Sequence, residues 1–229
     1  MANFIGTSAN QTFDGTELND TAIGNGGNDT LNGKGGDDTL HINGRGTSAA
    51  IGGTGSDTLI AEGGGAKSLF GEDDDDYLYV GGAATGYRIY GGDGFDTLGL
   101  YGTTTIDLSS TLVADVEAFV GTNSDDTITL SLGAFTAFSA FDGDGGYDIL
   151  SLRSFGNQDV SDVTTGAWFN LENIEALRVL GGTGDDQLRL SVEQFSEVDL
   201  FNLGQGSDVL HVEITGDVDF TLRFPRLSG

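Results

Sequence analysis

Apolar and polar residues alternate in short runs along the chain, and each run follows a glycine-rich loop that ends on an aspartate. Asp-Thr-Leu-Gly-Leu at 96–100, Asp-Thr-Ile-Thr-Leu at 126–130, Asp-Gln-Leu-Arg-Leu at 186–190 and Asp-Val-Leu-His-Val at 208–212 show the pattern. Period-two alternation over a few residues is a half-buried strand. The loops recur with the strands. The clearest unit is Gly33-Lys34-Gly35-Gly36-Asp37-Asp38-Thr39-Leu40-His41, and a near copy, Gly24 to Asn32, directly precedes it. Its sixth residue is Asp38. Other copies place theirs at Asp29, Asp57, Asp76, Asp96, Asp126, Asp148, Asp186 and Asp208, with a weaker one at Asp20. A unit this short cannot bury its apolar face alone, so stacked copies must share one core. The pattern predicts an all-β solenoid of roughly ten coils, its strands stacked into parallel sheets.

Spacing divides the chain. Residues 1–23 read as an N-terminal capping segment, with Phe4, Ile5 and Phe13 available to cover the first coil, because a solenoid end exposes an open face. Gly15 to Ile23 is a half-formed loop with Leu18 where glycine is expected. Residues 24–101 read as the regular array. The intervals Asp20–Asp38–Asp57–Asp76–Asp96 are 18, 19, 19 and 20 residues, which predicts one column of aspartates on one edge. The opposite edge begins at Asp29. Its later loops, Gly44-Arg45-Gly46, Gly63-Gly64-Gly65-Ala66-Lys67 and Gly81-Gly82-Ala83-Ala84, keep glycines but lose the aspartate. For most of its length that edge is expected to turn without metal, with Arg45, Lys67 and Arg88 on or near it. Residues 102–229 follow a longer rhythm: Asp126 and Asp186 are 60 apart, as are Asp148 and Asp208. Asp115-Val116-Glu117-Ala118-Phe119 is echoed by Asn173-Ile174-Glu175-Ala176-Leu177. A duplicated unit with a thicker coil is predicted, packed by Phe119, Phe135, Phe138, Phe141, Phe155, Trp168, Phe169, Phe195 and Phe201. The end, Asp217 to Gly229, reads as a capping strand with an apolar export signal or as an open docking end.

The loops also carry the chemistry. Glycine turns tightly and exposes backbone carbonyls. Aspartate adds carboxylate, and carbonyl with carboxylate is the hard-oxygen set that Ca2+ prefers. The formal net charge of −27 opposes compaction unless something neutralises it. Roughly six to ten Ca2+ ions would remove about half of the excess, so folding is expected to be coupled to the metal.

The phrase resembles the repeat-in-toxin (RTX) calcium-binding nonapeptide, Gly-Gly-x-Gly-x-Asp-x-(large apolar)-x. Gly52-Gly53-Thr54-Gly55-Ser56-Asp57-Thr58-Leu59-Ile60 fits in full, and so does Gly91 to Gly99. The resemblance implies a right-handed parallel β-roll or β-helix holding several Ca2+ ions, each between two loops a coil apart. Both sixth-position aspartates contribute, with carbonyls at positions two and four of one loop and one and three of the next. Carried onto this sequence, Gly53, Gly55 and Asp57 face Gly71, Asp73 and Asp76. Glu72, Asp74 and Asp76 then face Gly91, Asp93 and Asp96. Gly33, Gly35 and Asp38 belong to the same scheme, as do Asp20 and Asp29. Asp126, Asp148, Asp186 and Asp208 sit in weaker copies. The run Glu72-Asp73-Asp74-Asp75-Asp76 departs from the motif, so its carboxylates are expected to distort the loop, to add ligands, or to form a solvated turn.

Other classes find little support. Strong acidity argues against nucleic acid or an anionic membrane as partner, and no stretch has the length of a membrane span. There is no cysteine, hence no disulfide or thiol chemistry. His41 and His211 sit 170 residues apart at strand positions, and neither a His-Glu-x-x-His helix nor a Gly-x-Ser-x-Gly elbow occurs. Non-enzymatic function is the expectation, with no catalytic residue. The start, Met-Ala-Asn-Phe-Ile-Gly, lacks a basic region and an apolar run, so no N-terminal signal peptide is read there. The resemblance implies export unfolded through a type I system and folding in external calcium, giving an extracellular or cell-surface protein. Three roles follow: a self-assembling layer, filament or matrix protein; an accessory folding and secretion module of a larger extracellular enzyme, adhesin or toxin; or, against the non-enzymatic expectation, an enzyme or a binder of cell-surface glycan that uses the solenoid face, with Trp168 and Tyr77, Tyr79, Tyr87, Tyr90 and Tyr101 as its sugar platforms.

Overall fold

A computed structural model of the protein describes residues 1–82, 86–153, 157–159, 171–192, 195 and 198–213. Every strand pair described is parallel, and each strand bonds to the strand one coil away. The first sheet stacks nine strands: Asn3–Ile5, Thr21–Ile23, Thr39–Ile42, Thr58–Ala61, Tyr77–Val80, Thr97–Leu100, Ala118–Thr122, Ala140–Asp144 and Leu171–Glu172. A second sheet of six strands lies opposite: Thr12–Asp14, Thr30–Gly35, Ser48–Thr54, Lys67–Asp73, Arg88–Asp93 and Leu112–Ala114. The all-β parallel solenoid expected from the repeats is therefore the observed architecture. It has about nine turns, close to the expected number.

The core follows from the alternation. In the first sheet Leu40, Leu59, Leu78, Leu98, Phe119 and Phe141 stack in register. The second sheet answers with Phe13, Leu31, Ala50, Leu69, Ile89 and Val113. All are buried, most of them completely. Each coil thus contributes only a few side chains to a thin core, and each buried leucine is worth about 1.5–3 kcal/mol.

The N-terminal segment is already solenoid. Asn3–Ile5 pairs with Thr21–Ile23, and Thr12–Asp14 with Thr30–Gly35. Phe4 stacks on the buried Phe13 at 5.3 Å and closes the core. Ile5 does not share that role, being 68% exposed. Its position in the strand turns it outward, because Phe4 takes the inward place.

From residue 105 the cross-section changes. A third sheet holds Thr105–Asp107, Thr127–Ser131, Ile149–Arg153, Ala176–Leu180 and Leu200–Asn202, and a fourth holds Asn157–Asp159, Gln187–Ser191 and Val209–Glu213. A short helix, Leu132–Phe135, starts on Ser131, whose hydroxyl accepts the Ala134 amide. It delivers Phe135, and Phe138 follows, onto the stacked pair Phe119 and Phe141, whose rings are 4.3 Å apart. Aromatic packing fills the coil here. Phe155, Trp168, Phe169 and the predicted strand in 217–229 lie outside the described residues.

Candidate metal centre

Each aspartate of the predicted column stands directly before a strand of the first sheet, at the corner where the glycine loop turns inward. No one of Asp20, Asp38, Asp57, Asp76 and Asp96 is more than 2% exposed. One carboxylate oxygen of each is used by the coil before it. The Asp20 amide donates to Asp38 Oδ1 at 2.6 Å, that of Asp38 to Asp57 at 2.7 Å, that of Asp57 to Asp76 at 2.7 Å and that of Asp76 to Asp96 at 2.8 Å. The second oxygen is different. Oδ2 of Asp38, Asp57, Asp76 and Asp96 is buried and accepts no hydrogen bond. A buried, unpaired anionic oxygen is costly, and here the cost recurs in consecutive coils.

What surrounds these oxygens is more oxygen. A Cβ placed on Gly33, Gly52, Gly71 or Gly91 would lie 2.0–2.3 Å from Oδ2 of the aspartate in its own loop. The same Cβ on Gly33, Gly52 or Gly71 would lie 2.5–2.8 Å from the carbonyl oxygen of the corresponding glycine one coil on. Glycine is needed there for space, and the space is lined by carboxylate and carbonyl oxygens. Among the described residues no group of three or more His, Cys, Asp or Glu side chains forms a metal cluster. The oxygens that line these corners are aspartate and backbone, a set that suits a hard divalent cation. Calcium bound there would supply the positive charge that these oxygens lack.

The metal-free electrostatics agree. Burial pushes Asp57 and Asp76 up to about 7 and Asp96 up to about 6; the amide bond to each opposes the rise, and neighbouring carboxylates add to it. Burial also raises Asp29, Asp38 and Asp148. At Asp20 burial pushes upward too, but bonds from Ala2 and Thr16 outweigh it and leave the carboxyl below its ordinary value. The sign for stability follows. A folded-state pKa above the unfolded value favours the fold below about 3.8, and that contribution is lost as pH rises through 6 to 7. In chelator the chain should therefore be more ordered at pH 5 than at pH 8, with the contribution falling progressively between the ordinary value of 3.8 and about 7. In calcium the sign reverses, because protons compete for the same oxygens and acid should raise the calcium required. Circular dichroism over that range checks both, and order indifferent to pH would contradict the burial of these groups.

The ends of the columns explain themselves. Asp20 and Asp126 are first in theirs, and the Thr16 and Thr122 amides of their own loops donate to Oδ2. The Gly182 amide does the same for Asp186. At the far end a glutamate replaces the aspartate: the Asp96 amide donates to Glu117 and the Asp148 amide to Glu175, at 2.8 and 2.6 Å. The echoed segments around Glu117 and Glu175 are thus the same structural stop, each preceded by a left-handed residue, Asp115 or Asn173. The pairs Asp126–Asp148 and Asp186–Asp208 make the same kind of bond. Asp126 donates to Asp148 at 2.7 Å and Asp186 to Asp208 at 3.0 Å, on the third and fourth sheets respectively. Of these, Asp148 keeps a buried oxygen without a partner.

The other expected ligands lie in the same loops. Gly53 pairs with Glu72 and Thr54 with Asp73, while Gly92 and Asp93 pair with Glu72 and Asp73 from the other side. Gly35, Gly55 and Asp74 complete these turns. The acidic run is not distorted: it keeps the register of its neighbours, with Glu72 and Asp74 taking the positive φ that Gly53 and Gly55 take in the coil before. Glu72, Asp73, Asp74, Asp75 and Asp93 are exposed. Asp74 accepts the Gly55 amide and Asp75 the Phe95 amide.

Two features escape a motif reading. A further copy starts at Gly6 with Gln11 in sixth place, and the Thr7 amide donates to Gln11 as Thr16 does to Asp20. Fifth-position side chains form an outer ladder, from Asn10 to the Asn28 amide, Asn19 to Asp37, Asn28 to Thr47 and Asp37 to Ser56. Asn19-Asp20-Thr21 and Asn28-Asp29-Thr30 each place an asparagine on that ladder.

The second edge is built otherwise. Asp29 accepts the Gln11 amide through Oδ1 and leaves Oδ2 unpaired. The next corners are Ser48, Lys67 and Tyr87, which occupy the same register. All are buried, and each donates to a loop carbonyl.

The RTX calcium-binding nonapeptide repeat matches residues 5–40, in four copies. This stretch includes the Gly6 copy and the loop carrying Leu18. No curated protein matches the sequence.

Proposed function

We propose that this chain, whose residues 5–40 are RTX calcium-binding repeats, is a secreted protein that folds when calcium fills its aspartate column and then assembles with copies of itself into a layer, filament or matrix. The observation that carries the folding half is the buried, unpaired Oδ2 recurring at Asp38, Asp57, Asp76 and Asp96. RTX repeat proteins are typically secreted, and calcium outside the cell suits sites that would stay empty in the cytosol. Type I export of the unfolded chain fits the same logic.

The assembly half is supported by the solenoid itself. Among the described residues, Asn3–Ile5 and Thr12–Asp14 stand at the ends of their sheets. Such edges present unpaired backbone groups that accept another strand. Among the described residues no helix is long and apolar enough to cross a membrane.

Light scattering with millimolar CaCl2 tests this reading, with Ile5→Lys as the probe. A charge on an exposed edge strand blocks edge pairing and leaves the buried face untouched. Calcium-dependent assemblies that Ile5→Lys disperses are expected. A wild-type chain that stays monomeric in calcium would refute assembly and favour an accessory folding and secretion module. Retention on a glycan column would move weight to a carbohydrate-binding face.

A further inference from the structure

Lys67 is 1% exposed, and its ammonium is fully engaged. Nζ lies 3.2 Å from the Gly44 carbonyl, 2.5 Å from that of Gly46 and 3.0 Å from that of Gly64. Three N–H donors meet three acceptors, the whole donor capacity of the group. A lysine is almost never fully buried unless it is paired in this way.

Its place in the repeat gives the contact meaning. Lys67 is the sixth residue of the loop Glu62 to Lys67, where the first edge carries aspartate. Gly44 and Gly46 are the second and fourth residues of the preceding loop, and Gly64 is the third of its own. In this chain, second-, third- and fourth-place carbonyls of consecutive loops thus turn toward the corner between coils. The neighbouring corners follow the same rule: Ser48 Oγ reaches the Gly27 carbonyl at 3.4 Å, and the Tyr87 hydroxyl reaches that of Gly63 at 2.9 Å. The first edge has no such donor, and it is there that consecutive carboxylates are left with an unpaired oxygen.

We infer that the Lys67 ammonium is a resident cation, closing the second edge at the place where the first edge takes a metal ion. This rests on the calcium reading of the first edge for the comparison, but not for the contact itself. Beyond Asp29, whose Oδ2 is also unpaired, the two edges are then chemically complementary. One is lined by acceptors and waits for a divalent cation, while the other carries its own charge and donors. The second edge then holds a latent site. With lysine removed and aspartate placed at the corners, the Gly44, Gly46 and Gly64 carbonyls become a divalent-cation site.

Two experiments test this. Lys67→Met keeps the stem and removes the charge. In saturating CaCl2, hydrogen exchange of the amides in 44–48 and 64–67 should accelerate by about tenfold or more, because bonds to a charged donor are worth at least that much. Amides in 58–61, beside the first edge, should change little. Wild-type protection in Lys67→Met would overturn the inference. Should that variant not fold, Ser48→Asp combined with Lys67→Asp decides. Equilibrium dialysis with radioactive calcium should find at least one more ion per chain than in the wild type, and an unchanged count would overturn the inference. A wild-type chain that binds no calcium at all would instead defeat the reading of the first edge, so the two failures are distinguishable.

Discussion

Asp57→Asn combined with Asp76→Asn should raise the calcium concentration needed for folding by about a hundredfold, at about tenfold for each change. Asparagine is the informative replacement. Its side-chain oxygen still accepts the Asp38 and Asp57 amides, which now donate to Asp57 and Asp76 at 2.7 Å. The ladder between coils survives, and only the charge on the unpaired oxygens is lost. Alanine would remove both and leave two buried amides without acceptors, at about 1–3 kcal/mol each. Asp29→Asn should matter less, because the next corner on its edge is Ser48 and the one after is Lys67. A calcium titration followed by circular dichroism checks all three. Wild-type calcium dependence in the double variant would remove these aspartates from the metal site.

Gly71→Ala should be as damaging for a reason unrelated to charge. Its Cβ would lie 2.1 Å from Asp76 Oδ2 and 2.5 Å from the Gly91 carbonyl oxygen, so it fills the place a cation needs and presses on backbone. A loss of about 3 kcal/mol is expected, the upper range for overpacking. Gly64→Ala is the matched control, since the nearest atom to its Cβ is the Arg45 Cγ at 3.7 Å. Thermal unfolding in saturating calcium should separate the two widely. Equal stability of both would show that the first-edge cradle has room to spare.

Much of the fold and of the metal column is legible in the amino-acid sequence. Strand, loop and aspartate recur at fixed spacing, and the spacing alone puts Asp20, Asp38, Asp57, Asp76 and Asp96 on one edge. Local pattern becomes global fold directly in a solenoid, because each coil packs only on its neighbours. The rest is hidden for physical reasons. Gln11 does the work of an aspartate through its side-chain oxygen, so a rule written for Asp passes over it. Glu117 and Glu175 end the ladders because each holds the aspartate's register position and its longer carboxylate accepts the last amide. Positive charge can be placed near the second edge from its degenerate loops. Which basic residue enters the corner depends on register, and only Lys67 shares it with Ser48 and Tyr87. The strain accepted by Glu72 and Asp74 is also hidden, since glycine is the residue that signals such a turn.

Small-angle scattering in chelator and again in millimolar CaCl2 tests the central claim most directly. An unfolded chain of this length has a radius of gyration of about 50 Å, and a compact one about 17 Å, somewhat more for an elongated solenoid. A large drop toward the compact value on adding calcium, reversed by chelator at neutral pH, is the predicted result. A chain equally compact in both, with no bound calcium detected, would contradict the account.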